Sequence, residues 1–249
     1  MFIKPKITDL IKKNIFLPNP NPSDGFWAAT DTKENYESSL ASMPKNWYYR
    51  TNTVEYHINK HSYRTQEFNT IDWANSVVLL GCSQTYGVGV DECDTIGSNL
   101  SKLINKNVVN LGVPGASNEV ILNNSIILSS GYPTPLAVIH LYTDIDRFTE
   151  YSKRQIMNHG SWSMDTDFMR ACSAEKTNSE VQTLMASKIS QEIWKQKTKF
   201  LEFTTFTHTN LLLRCNNLFT PLKDKARDNL HAGPKTTRRC AELIYKELK

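Results

Sequence analysis

The sequence predicts an α/β fold built on a parallel sheet with helices over both faces. Two observations carry this. Short apolar, β-branched runs at 77–80, 107–111 and 136–141 have the continuous hydrophobicity of strands buried on both sides. Amphipathic helical segments separate them, giving the strand, loop, helix rhythm that a parallel sheet requires.

Each element has a local reason. The helix expected over 94–104 is capped by Asp94 or Thr95 and carries Ile96, Leu100, Leu103 and Ile104 on one face. Ser117 caps a second helix to about residue 128, which Gly131 ends at the C′ position with Pro133 just beyond. The segment 179–197 is a helix in which Val181, Leu184, Met185, Ile189 and Ile193 repeat at helical spacing. Residues 200–207 have strand composition, whereas 210–218 fit either a short buried strand or a helix. The last helix, 234–248, has Pro234 in its first turn and turns Cys240, Leu243, Ile244 and Leu248 inward.

Upstream of the core, Pro5, Pro18, Pro20 and Pro22 with Gly25 make 16–25 an extended arm rather than a packed element. Trp27, Trp47, Tyr48 and Tyr49 follow, suited either to packing on the outside of the core or to lining a cleft. Residues 54–58 alternate like an edge strand, and 59–62 form a turn. His57 and His61 have the spacing of a helical metal pair, but in a strand followed by a turn the two imidazoles diverge. The polar, aperiodic stretch near 146–178 is expected as an insertion over the open end of the sheet. The expected division is therefore an N-terminal arm and aromatic lead-in, 1–53, and an α/β domain, 54–249.

Composition narrows the function classes. A chain of 249 residues, 39% hydrophobic, buries a large core without disulfides or metal. The five cysteines include no CxxC pair, which indicates neither a disulfide framework nor a zinc knuckle and fits a reducing, cytoplasmic setting. No apolar run reaches membrane-spanning length, and lysines 4, 6, 12 and 13 break any signal-like start. The formal charge of +4 is too small to argue a nucleic-acid surface. No metal and no cofactor is expected.

The chemistry concentrates in two places. Residues 77–90, VVLLGCSQTYGVGV, end a buried strand at Gly81 and place Ser83 at the start of a glycine-punctuated loop. A polar nucleophile there is exposed at the carboxyl edge of the sheet, where α/β sites assemble. Far downstream, Asp228 and His231 stand three residues apart before the last helix. A serine hydroxyl needs a base to take its proton and a carboxylate to hold that base, so Ser83, His231 and Asp228 are the candidate catalytic group. Cys82 points inward if Ser83 faces the cleft. The Ser83 amide and the amide of Gly115 are candidate oxyanion donors, although Gly112 and Gly115 also suit a tight strand-to-helix turn.

The order of these blocks resembles the SGNH or GDSL-like hydrolases. Gly81-Cys82-Ser83 is similar to the family's G-D-S block, Gly115 after Asn110 to its second block, and Asp228 with His231 to its closing D-x-x-H; residues 56–67, YHINKHSYRTQE, resemble a lead-in of members with acyl-esterase or sugar O-acetyl chemistry. The resemblance covers 54–147 and 225–248. It implies a flavodoxin-like three-layer αβα sandwich that hydrolyses or transfers acyl esters, O-acetyl esters among them, of a small molecule or glycan, without metal. Two positions depart from the pattern: Cys82 replaces the aspartate of the first block, and Thr143 stands where the family's third block has its oxyanion asparagine. By that alignment Thr143 joins the oxyanion hole, and Asp144 and Arg147 either shape the substrate pocket or are surface charges.

Three readings compete. The first is a serine esterase or acyltransferase. The second, motivated by Thr143, is a weakened or inactive module of the same fold that binds a glycan or acyl ligand. The third treats GCSQTYGVG as a phosphate cradle, but it lacks the Lys-Ser/Thr end of a P-loop and the spacing of G-x-G-x-x-G.

Overall fold

The computed structural model describes residues 6–20, 23–152, 155–163, 176–218 and 224–249. Two short helices, α1 (Ile7–Lys12) and α2 (Lys33–Ser42), precede the first strand. There follow β1 (Ser76–Gly81), α3 (Ser83–Tyr86), α4 (Ile96–Ile104), β2 (Asn107–Gly112), α5 (Asn118–Gly131) and β3 (Ala137–Tyr142). An antiparallel hairpin, β4 (Phe148–Tyr151) and β5 (Ile156–His159), leads to α6 (Lys176–Trp194), β6 (Lys199–Thr204), α7 (Thr207–Leu213), β7 (Asn216–Asn217) and α8 (Pro234–Leu248).

The main sheet is wholly parallel, in the order β2-β1-β3-β6-β7. Counted along the chain, its five strands run 2-1-3-4-5, the flavodoxin-like order, which reverses beside β1 and opens a crevice at the carboxyl ends there. Alternate residues go to opposite faces. Val78, Leu80, Val109 and Val138 pack with α1, α5 and Trp194 of α6, while Val77, Leu79 and Ile139 pack with Ile96 and Leu100 of α4 and Cys240 and Ile244 of α8. The result is the three-layer αβα sandwich. Leu79 and Leu80 are fully buried on opposite faces, and each such side chain contributes about 1.5–3 kcal/mol.

Most element boundaries match the sequence reading. Thr95 caps α4 by accepting from the Ser98 amide at 3.0 Å, and α8 begins at Pro234. Leu103, expected inward, is 38% exposed and leaves Ile96 and Leu100 to anchor α4. Ser117 occupies the N-cap of α5, yet its hydroxyl lies 2.7 Å from Thr149 Oγ1 instead of capping. Gly131 is the last helical residue, not a left-handed C′ glycine. The ambiguous stretch after β6 contains both forms, α7 and then the short β7.

Larger differences have physical causes. In α6 most of the expected inward stripe faces out, with Val181 47% and Met185 54% exposed, while Ile193 still packs on the core. The opposite, polar face is inward because Glu202 of β6 needs partners there: Ser187 Oγ donates to Oε1 at 2.7 Å and Gln191 Nε2 to Oε2 at 2.6 Å. Trp194 Nε1 further donates to Ser125 Oγ at 2.7 Å. The stretch 54–58 alternates in burial but forms no ladder. The expected arm is irregular in backbone, yet Phe16 and Leu17 are buried and Phe16 stacks on Tyr132. Part of the expected insertion is the β4–β5 hairpin; residues 164–175, including Cys172, lie outside the described residues. Among the described residues, no helix is long and apolar enough to cross a membrane.

Candidate active site

Ser83 is the first residue of the one-turn helix α3, directly after β1. The glycine at 81 is required by contact: a Cβ there would lie 2.0 Å from Thr85 Oγ1, so any larger residue would push α3 off the strand end. Cys82 is buried in the core, as its alternation with Ser83 predicts.

His231 lies across the crevice. Its Nε2 is 2.8 Å from Ser83 Oγ, and its Nδ1 is 2.5 Å from Asp228 Oδ2. The three-residue spacing works because the loop turns on itself, with Asn229 at φ +59°. Asp228 Oδ1 accepts from the amides of Leu230 and His231, each at 3.1 Å, which leaves Oδ2 to face the ring. With Nδ1 donating to Asp228, the Nε2 lone pair is the acceptor for the serine proton. Burial of Asp228 pushes its carboxyl upward, but the hydrogen bond and charge of His231, with the Thr30 hydroxyl and the His231 amide, outweigh burial and hold it below the usual carboxylate range.

The loop is fastened from the amino-terminal segment, which sequence patterns did not connect to the site. Thr30 Oγ1 donates to Asp228 Oδ2 at 2.7 Å. Next to it, fully buried Asp31 pairs with Arg227, Oδ2 to Nη2 at 2.8 Å, and accepts from Tyr56 Oη at 2.5 Å. Arg227 also donates to the Phe26 carbonyl, and its guanidinium lies 4.2 Å from the Trp27 ring centre. Gly89, at φ +75°, receives the loop on its other side: its carbonyl accepts from the Arg227 amide at 2.9 Å, and a Cβ would come within 3.2 Å of the Asp228 amide. Neither Thr30 nor Asp31 carries a periodic or motif signal.

These residues border a cleft of about 790 Å³ whose lining includes Ser83, Gly115, Arg147, Trp162, Phe206 and His231. Gly115 has φ +77°, a left-handed conformation that favours glycine. Thr143 and Asp144 are corrections to the sequence reading. Thr143 is fully buried, with its amide bound to Asn118 Oδ1 at 2.9 Å and, among the described residues, no partner for its hydroxyl, and it is not among the residues that line the cleft. Asp144 serves the turn before β4, accepting from the Asp146 amide at 3.3 Å, and is not a lining residue. Trp27, Trp47, Tyr48 and Tyr49 do not line the cleft either; Trp27, Tyr36, Trp47 and Tyr49 form a chain of ring contacts beside the Arg227 loop. His57 is exposed and His61 stacks on Phe68. Among the described residues, no group of three or more His, Cys, Asp or Glu is arranged to hold a metal.

No protein-family model and no curated protein matches this sequence. Similar solved structures include a carbohydrate esterase family 2 enzyme with a carbohydrate-binding domain from Corynascus thermopiles (Myceliophthora fergusii), 11% identical over 70% of this chain and 65% of that one, TM-score 0.47. An acetyl xylan esterase from Butyrivibrio proteoclasticus is 11% identical over 72% of this chain and 64% of that one, TM-score 0.43. A carbohydrate acetylesterase family member from Sinorhizobium meliloti is 13% identical over 70% of this chain and 96% of that one, TM-score 0.42. This chain thus spans just under two thirds of the length of the first two, 65% and 64%.

Proposed function

We propose that this chain is a serine esterase or acyl hydrolase of SGNH type, acting on an acyl ester of a glycan or small alcohol through Ser83, His231 and Asp228. The observation that carries the reading is the unbroken hydrogen-bonded chain from Ser83 Oγ through both nitrogens of His231 to Asp228.

In this reading, Ser83 Oγ bonds to the ester carbonyl carbon while His231 Nε2 takes its proton. The carbonyl electron pair moves to oxygen, where the amides of Ser83 and Gly115 stabilise it. Collapse breaks the ester C–O bond, and His231 returns the proton to the departing alcohol. Water, deprotonated by the same nitrogen, then attacks the Ser83 acyl ester; the C–Oγ bond breaks to release the acid, and His231 returns the proton to Ser83 Oγ. Asp228 holds the ring in the required tautomer and stabilises the imidazolium throughout. Transfer to a second alcohol in place of water uses the same groups.

The buried position of Thr143 favours one second reading, a catalytically weakened module that retains ligand binding, because it removes the side-chain oxyanion donor the resemblance implied. Rapid-mixing kinetics with an activated ester separates the two. The esterase reading expects an initial burst of alcohol stoichiometric with enzyme, abolished in Ser83→Ala. Absence of both burst and turnover, with ligand binding preserved in Ser83→Ala, favours the binding module.

A further inference from the structure

Arg147 is the one Lys or Arg among the described residues that line the cleft. It stands just before β4, with its guanidinium 5.0 Å from the Trp162 ring centre and 5.7 Å from that of Phe206. Aromatic contacts of this kind hold a cation but supply no acceptor for its N–H groups. Among the described residues, its Nη1 is buried with no hydrogen-bond partner. Three nearby carboxylates have other partners. Asp144 accepts within its turn, Glu119 accepts from the Thr149 amide at 3.2 Å, and Glu150 faces His159 at 3.4 Å. A guanidinium nitrogen left without an acceptor is unfavourable, and because Arg147 lines the cleft, a ligand oxyanion drawn to its guanidinium would form a charge-assisted hydrogen bond.

From this we infer that Arg147 makes the cleft selective for anions: its ligand carries a carboxylate, and as an ester substrate it bears that carboxylate on either the acyl group or the sugar or other alcohol. A lone guanidinium matches the single charge of a carboxylate better than the double charge of a phosphate monoester. The ester part of this inference rests on the proposed function; the anion part rests on Arg147 alone.

The test uses two matched pairs of esters, one for each source of the charge. For the acyl side, 4-nitrophenyl hemisuccinate is compared with 4-nitrophenyl acetate; for the alcohol side, an O-acetylated methyl glucuronoside is compared with the corresponding glucoside. In the wild-type protein the anionic member of one pair is expected to have the higher kcat/KM by about tenfold or more. That ratio falls to near one in Arg147→Met, while Arg147→Lys, which keeps the charge without the planar fork, retains part of it. No preference in either pair, or a preference that survives Arg147→Met, overturns the inference. If no ester is turned over, calorimetric titration of Ser83→Ala with succinate and methyl glucuronoside, against succinamide and methyl glucoside, decides the anion part separately. Carboxylate-selective binding that weakens about tenfold on adding Arg147→Met sustains it while the esterase reading fails; equal or absent binding of both members overturns it.

Discussion

Thr30 and Asp228, 198 positions apart, share a hydrogen bond of 2.7 Å on the same carboxylate oxygen that faces His231. Thr30 thereby orients the group that orients the base. It touches no atom expected to react, so it is a positioning residue. Replacing Thr30 by Val removes the hydrogen bond at nearly constant volume and is expected to lower kcat/KM for an activated ester by about 5- to 20-fold. Thr30→Ser, which restores the donor, should recover most of the loss. Equal activity in the Val and wild-type proteins would contradict this role.

Asp31 and Arg227 form a buried ion pair, with Asp31 fully buried and Arg227 4% exposed. Breaking it leaves a charge stranded in a low-dielectric site, so Asp31→Ala should destabilise the protein by about 3–5 kcal/mol. Adding Arg227→Met removes the stranded charge and should restore part of that loss. Urea unfolding of the single and double variants measures both values, and a double variant no better than Asp31→Ala would refute the assignment.

Acid should weaken the fold in a window set by His140. Complete burial on β3 pushes its imidazole down to about 3, from an ordinary value of 6.5. Between those values the unfolded chain binds a proton that the folded chain does not. Stability therefore falls by about 1.4 kcal/mol for each pH unit below 6.5 and levels off below 3. Asp228 acts in the same direction at lower pH: its carboxyl is depressed, so its contribution is complete above the unfolded carboxylate range and is lost as pH falls through the folded value. Urea midpoints at pH 7 and pH 4.5 should show the wild-type protein losing about 2–3 kcal/mol more than His140→Leu. An identical loss in the two proteins would exclude His140 as the cause.

Thr143→Val tests the oxyanion hole. Because the Thr143 hydroxyl is buried and unpartnered among the described residues, the substitution should leave kcat within about twofold of wild type and stability unchanged or slightly improved. A loss of about a hundredfold, the usual effect of deleting an oxyanion donor, would return Thr143 to the site.

The parts of the fold written in short-range pattern were legible in the sequence. Continuous apolar runs gave away β1, β2 and β3 because burial on both faces leaves no polar side to confuse the period. Pro234 and Thr95 marked helix starts through backbone chemistry local to those residues. Ser83, Asp228 and His231 were legible because each sits at a strand end or in a tight loop with a recognisable spacing. Side chains whose surroundings come from distant segments were not. The apolar face of α6 reads as its core face until Glu202, on a different element, demands the polar one. Thr30 and Asp31 gain their roles only when the amino-terminal segment folds against residues 227–228. Residues 54–58 have strand alternation but form no ladder, since the Tyr56 amide bonds singly to the Gly25 carbonyl of a distant segment, a fact no local pattern contains.

If His231 activates Ser83, the imidazole sets the rate at which a fluorophosphonate labels Ser83, read by peptide mass spectrometry. One adduct on Ser83 is expected in the wild-type protein, with labelling slowed by about a hundredfold or more in His231→Ala and both proteins folded. An unlabelled Ser83, or labelling that proceeds equally fast without the imidazole, would contradict it.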